Sequence, residues 1–175
     1  MRLFTIIILI TAFSFAQENK PTDKSWLDFW IGKWKLEWTD KNGSTGKGSC
    51  EIKKILGNKV VYEKFEAKKG ELKGFKGRSF SVLDKTTNQW KQTWVDNNET
   101  YLEFTGLEEE NKKIFQRKLT DKSGEIILQR IVFTNIEKNN FDWLWESSSD
   151  EGSSWVTNWK IKYSRKIKTK KTKNK

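Results

Sequence analysis

The chain has 175 residues, one cysteine, no histidine and a formal net charge of +11. The lack of histidine excludes a Ser-His-Asp triad, imidazole ligation of haem and the usual zinc sites. A single cysteine excludes an internal disulfide and thiolate metal clusters. We therefore expect no metal and no cofactor.

Residues 1–16 are predicted to be a cleaved signal peptide. Arg2 supplies a positive charge before an apolar run from Leu3 to Phe15, and Ala16 is the small residue that precedes the cut. The run is shorter than the about 20 apolar residues of a spanning helix. Gln17 follows the cut where a lipoprotein has Cys, so no lipid anchor is expected. We expect a secreted or periplasmic protein with a linker over 17–24 and a folded domain over 25–165.

Most of the positive charge lies outside that domain. The segment Arg165–Lys175 carries seven positive residues and no acid, and without it and Arg2 the rest has a net charge of +3. Residues 166–175 lack apolar periodicity and are predicted to be a solvated basic tail. Weak contact of the tail with an anionic membrane surface and a purely solubilising role both remain open. We expect a monomer and no nucleic-acid partner, since export removes the protein from nucleic acid.

A short helical turn followed by about ten antiparallel strands is predicted. Asp23–Ser25 supplies capping residues before the turn, and Gly32 ends it. A first strand carries Trp34 and Trp38, and Asp40–Gly43 is a hairpin signal. Turn residues separate the later strands, which are Lys47–Leu56, Lys59–Ala67, Phe75–Leu83, Gln89–Val95, Thr100–Gly106, Lys112–Thr120, Glu125–Ile136, Phe141–Ser147 and Ser154–Tyr163. The pattern predicts an all-β, up-and-down barrel, because closure removes exposed sheet edges.

Three blocks of residues carry a resemblance to a known group. They are Phe29-Trp30-x-Gly32-x-Trp34, Trp90-x-Gln92-x-Trp94-Val95-Asp96 and the run Trp145–Trp155. In these blocks the chain resembles an uncharacterised bacterial family of secreted lipocalin-like (calycin-like) domains over about residues 25–165. The resemblance implies a lipocalin-like β-barrel and no particular activity. It also implies that Arg165, near the end of the last strand, packs over Trp34 of the Gly-x-Trp motif.

Alternation in the later strands predicts an interior rich in tryptophan. Trp143 and Trp145 share one strand face with Phe141, and Trp155, Thr157, Trp159, Ile161 and Tyr163 share the same parity on the last strand. A closed barrel turns one face of each strand inward, around either a packed core or a cavity. We expect a cavity that holds a small apolar or amphipathic ligand. The residues predicted to contact it are Glu63, Trp90, Gln92, Trp94, Arg130, Trp143, Trp145, Trp155 and Trp159.

Acidic residues within the strands leave an alternative function open. Glu63 alternates with apolar neighbours and is expected to face the interior, with Arg117 or Arg130 as its partner. A hydrolase acting on glycans or lipids would instead need two carboxylates facing one cavity, about 5–9 Å apart. The candidate carboxylates are Glu63, Asp96, Glu103 and Glu146. We assign no catalytic residue, and Cys50 is predicted to be an inert strand residue.

Overall fold

A computed structural model describes residues 21–165, which form ten strands and one short 3-10 helix, Asp28–Trp30. The strands are β1 (Gly32–Thr39), β2 (Thr45–Ile55), β3 (Val60–Lys69), β4 (Lys76–Asp84), β5 (Gln89–Asp96), β6 (Tyr101–Glu109), β7 (Lys112–Thr120), β8 (Ile126–Thr134), β9 (Asn140–Ser148) and β10 (Val156–Arg165). The predicted signal peptide and basic tail lie outside the described residues. No helix within 21–165 is long and apolar enough to span a membrane.

The strands form a closed antiparallel barrel in chain order, with β10 pairing back onto β1. Closure places Trp34 opposite Arg165 and Leu36 opposite Tyr163. Along β1, buried Trp34, Leu36 and Trp38 alternate with exposed charged residues, which is the pattern of a strand with one face turned inward. The predicted all-β barrel is confirmed.

The segment before β1 closes one end of the barrel. Trp26, Leu27 and Trp30 are buried there. The ring of Trp26 packs edge-on against Phe115, with centroids 5.2 Å apart. The indole nitrogen of Trp34 donates to the Trp30 carbonyl at 2.8 Å. We call this segment, residues 26–30, the plug, and we call the opposite end of the barrel the mouth.

Arg165 locks this plug in place. Its guanidinium carbon lies 4.0 Å from the ring centroid of Trp34, which is the stacking that the resemblance implied. The guanidinium donates to the carbonyls of Phe29, Ile31 and Lys138 at 3.1, 2.9 and 2.9 Å. Gly32 has φ +135°, and a Cβ at this position would overlap the guanidinium. The Gly-x-Trp motif therefore leaves the space that Arg165 fills.

A β-bulge in β10 changes which side chains face inward. Thr157 lies opposite Glu146, but Trp159 lies opposite Trp145, so one additional residue is inserted between them. Trp159 therefore points inward while Thr157 points outward, although both have the same parity in the sequence. The expectation that Trp155, Thr157 and Trp159 share one face is wrong.

Candidate functional site

The barrel contains a cavity of about 230 Å³ between the plug and the mouth. Five tryptophans line it, together with phenylalanines from several strands; the tryptophans are Trp30, Trp94, Trp143, Trp145 and Trp159. An engineered cavity of about 150 Å³ accepts benzene, so this volume has room for a compact ring molecule. Six of the predicted ligand contacts line the cavity: Glu63, Gln92, Trp94, Trp143, Trp145 and Trp159.

Trp90 does not line the cavity, contrary to prediction. Its ring lies against that of Trp26, with centroids 5.9 Å apart, and its indole nitrogen donates to the Asp23 carbonyl at 3.0 Å. It faces inward as expected, but the plug occupies the space above it. Trp90 thus belongs to the packed closed end of the barrel.

Arg130 and Trp155 lie on the outer face, so their predicted place in the lumen is also wrong. The Arg130 guanidinium donates to Glu146 at 2.8 Å, and its carbon lies 3.7 Å from the Trp155 ring centroid. Thr157 donates to the other oxygen of Glu146. The bulge in β10 explains why Trp155 lies outside the lumen. Arg130 lies outside because the next residue of β8, Ile131, lies in the core, and successive residues of a strand face opposite sides. These residues form an outer clamp across β8, β9 and β10.

Glu63 faces the interior as predicted, but its partners differ from those expected. The Cys50 thiol donates to Oε1 at 3.3 Å and the Ser79 hydroxyl donates to Oε2 at 2.7 Å. Burial raises the pKa of Glu63 to about 7, against the opposing effects of Ser79, Cys50 and the Arg78 charge. Neither arginine predicted as its partner is bonded to it in the described chain. Burial also raises the pKa of the Cys50 thiol, which keeps it protonated and inert as a nucleophile.

Two buried polar atoms beside the cavity have no hydrogen-bond partner within residues 21–165. They are Oε1 of Gln92 and the indole nitrogen of Trp30. Gln92 is 2 % exposed, and its Nε2 donates to Ser81 at 2.9 Å. An unsatisfied buried polar group costs about 1–3 kcal/mol, which a bound molecule could recover. Trp30 was not among the predicted ligand contacts, because the sequence placed it in the helical turn and in the block Phe29-Trp30-x-Gly32-x-Trp34.

The cavity has a polar wall and an aromatic wall. Glu63 pairs in register with Ser79, and Ser81 pairs with Gln92, so these four side chains adjoin across β3, β4 and β5. The opposite side of the barrel presents the indoles of β9 and β10. The two serines are small and fully buried, which leaves space beside the carboxyl and the amide.

Only two of the four candidate carboxylates line the cavity, namely Glu63 and Asp96. Glu103 and Glu146 point outward. Asp96 sits at the mouth, where one oxygen accepts from the Trp94 indole at 2.9 Å and the other from the Asn98 amide at 2.9 Å. Partial burial acts to raise the pKa of Asp96, but these bonds outweigh it and hold the pKa below its ordinary value. Asp96 therefore holds the turn after β5.

The barrel wall is thin between β6 and β7. Their pairing runs from Glu109 opposite Lys112 to Thr105 opposite Gln116, and no further in the described chain. An outer groove lies beyond that point, and two residues line both this groove and the cavity: Gln92 and Phe104. These two side chains therefore lie between the lumen and the groove.

Among known proteins, designed β-barrels are similar to this chain in structure. No protein-family model matches the sequence, and no curated protein matches it. A de novo designed fluorescence-activating β-barrel is similar with a TM-score of 0.43 and 8 % identity, over 82 % of this chain and 98 % of that one. A redesigned β-barrel is similar with a TM-score of 0.42 and 10 % identity, over 80 % and 94 % of the two chains. The protein itself is a closed all-β barrel with an aromatic-rich interior, an arrangement compatible with ligand binding.

Proposed function

We propose that this chain is an exported small-ligand-binding barrel that holds an apolar or amphipathic molecule in its tryptophan-lined lumen. The observation that carries the proposal is the cavity of about 230 Å³, whose wall holds polar atoms that have no hydrogen-bond partner within residues 21–165. Protein interiors are normally packed as densely as organic crystals, and their buried polar groups are paired. A ligand would restore both the missing packing and the missing hydrogen bonds.

The lining suits a ring-shaped ligand with a polar edge. Burying apolar surface yields about 25 cal/mol per Å², so covering about 200 Å² of a ligand yields about 5 kcal/mol. Favourable aromatic stacking adds about 0.5–1.5 kcal/mol for each pair. With one hydrogen bond to Gln92, these contributions approach the about 8 kcal/mol that corresponds to micromolar affinity.

Binding has more support than the alternative hydrolase. Asp96 commits both carboxylate oxygens to its own turn, which leaves Glu63 as a single available carboxylate in the described lining where such a hydrolase needs two. A general base or nucleophile needs an oxygen free to reach substrate or water. Glu103 and Glu146 are on the wrong side of the barrel wall for such a role.

Export is part of the proposal and rests on the sequence of residues 1–16. Cleavage after Ala16 predicts that the exported protein begins at Gln17 or is blocked by cyclisation of that residue. N-terminal sequencing or intact mass measurement of the exported protein tests this. A mature chain that still begins at Met1 would contradict it.

Tryptophan fluorescence tests the binding proposal directly. Fatty acids, flat aromatic molecules and oligosaccharides are titrated against the wild type and Ile131→Trp, which places an indole in the cavity. Tyr101→Trp adds the same indole on the exposed outer face. We expect saturable emission changes with one ligand class in the wild type and Tyr101→Trp, but not in Ile131→Trp. Unchanged emission with all three classes would contradict the proposal.

A further inference from the structure

The electrostatic character of the cavity is opposite to that of the whole chain. The sequence contains 34 lysines and arginines. None of those within residues 21–165 lines the cavity. The charged residues that do line it are both acidic, Glu63 and Asp96. The described part of the lining therefore offers no cationic side chain to balance an anionic ligand.

Apart from the Trp30 indole N–H, which is a donor, the remaining polar and aromatic groups favour a ligand of the same charge. Gln92 Oε1 is a buried acceptor without a donor in the described chain. Trp143 and Trp159 stand edge to face with centroids 5.7 Å apart, which leaves indole surface along the aromatic wall. Indole faces carry partial negative charge and attract cations within about 6 Å. Carboxylate, amide oxygen and indole faces all favour a positive, hydrogen-donating group.

We propose that the lumen takes a compact organic cation, namely a primary or secondary ammonium group carried on an apolar ring; this rests on the proposed ligand-binding function. The ammonium donates to Glu63 and to Gln92 Oε1 on the polar wall. The ring packs against the indoles of the opposite wall. A fatty acid of similar size would bring its carboxylate toward Glu63 with no cation between them.

The charge state of Glu63 gives this binding a defined pH dependence. The side chains that face Glu63 are Cys50 on β2, Ser79 on β4 and Tyr163 on β10, and the charge of Arg78 on the outer face of β4 also acts on it. Burial raises the pKa of both Cys50 and Tyr163, so both stay neutral at ordinary pH. An alkylammonium has a pKa near that of lysine, about 10.4, and stays charged. Glu63 is thus the group in the lumen that titrates near pH 7.

Affinity for the ammonium ligand should therefore rise with pH and then level off. The ligand needs ionised Glu63, whose pKa in the free protein is about 7. Below that pH, binding must first remove a proton from the carboxyl, so affinity falls about tenfold for each pH unit. A neutral ligand of the same shape shows no such slope.

Three matched probes test this inference by isothermal titration calorimetry at pH 6, 7 and 8. They are 2-phenylethylamine, 2-phenylethanol and 3-phenylpropionate, which share an apolar ring and differ in charge. The wild type is compared with Glu63→Gln and with Glu66→Gln, which removes a carboxylate from the outer side of the same strand. At pH 8 we expect the amine to bind at least tenfold tighter than the alcohol, and the acid to bind weakest. Glu63→Gln should abolish that preference and the pH slope, whereas Glu66→Gln should keep both.

Failure of this inference differs from failure of the proposed function. If the alcohol binds as tightly as the amine at pH 8, or the acid binds best, the cation inference is overturned while ligand binding stands. If none of these three probes binds but a ligand class of the fluorescence panel does, the cation inference is again overturned and the ligand-binding function stands. If no ligand of either panel binds, both the cation inference and the proposed ligand-binding function are overturned. Should Glu63→Gln fail to fold, a pH-independent amine-to-alcohol ratio in the wild type would still refute the inference.

Discussion

Arg165→Ala is expected to destabilise the barrel by about 3–4 kcal/mol. The guanidinium forms three hydrogen bonds to carbonyl oxygens from the plug and the turn before β9. Charged hydrogen bonds contribute about 1.5–3 kcal/mol each when buried, and partial exposure at this site reduces each to about 1 kcal/mol. Stacking on Trp34 contributes a further amount of about 0.5–1 kcal/mol.

Thermal unfolding followed by circular dichroism measures this loss. A domain of this size loses about 2–4 °C of Tm for each kcal/mol, so Tm should fall by about 10 °C. Arg165→Lys keeps the charge but lacks the planar fork, and should lie between the wild type and Arg165→Ala. Lys33→Ala removes an exposed charge nearby and should have little effect. A Tm for Arg165→Ala within about 2 °C of the wild type would refute the locking role.

Three further predictions concern the lumen. Folding raises the Glu63 pKa from 4.5 to about 7, so the free energy of unfolding of the ligand-free protein should fall by about 3 kcal/mol as pH rises through that window. Urea denaturation at several pH values should show this fall in the wild type but not in Glu63→Gln. The same pH dependence in both proteins would contradict the prediction. Trp159→Ala should weaken ligand binding at least tenfold in fluorescence titrations, whereas Trp155→Ala should leave the affinity unchanged. An equal loss of affinity in the two variants would contradict the assignment of Trp159 to the lumen and Trp155 to the outer face. Gly77→Ala should push the Trp94 ring, which a Cβ there would overlap, into the mouth and slow ligand association in stopped-flow traces, and an unchanged rate would contradict this.

The strands were predictable because their signals are local. Alternation and turn residues give both ends of β7 correctly and place β5 and β9 within one residue at each end. The helical turn is also local, since its capping residues and Gly32 are adjacent in the chain. Even Glu63 was correctly placed inside, because its neighbours along β3 are apolar.

The errors arise where geometry depends on distant parts of the chain. The bulge in β10 inserts one residue that no turn signal marks, and it moves Trp155 to the outside. The depth of the plug decides that Trp90 is packed rather than exposed to the cavity. The partner of Glu63 follows from strand register, which sets Cys50 and Ser79 beside it. Alternation gives parity along one strand but no information about these relationships.

Native mass spectrometry of the protein from its own host tests the central claim, that the lumen holds a small molecule. The sample is sprayed under conditions that preserve non-covalent complexes, both as purified and after incubation with the ligand panel. The expected result is a wild-type species heavier than the mature chain by one small organic molecule, which dissociates on collisional activation, while Ile131→Trp shows only the free chain. A wild-type protein that shows only its bare mass in both samples would contradict the claim.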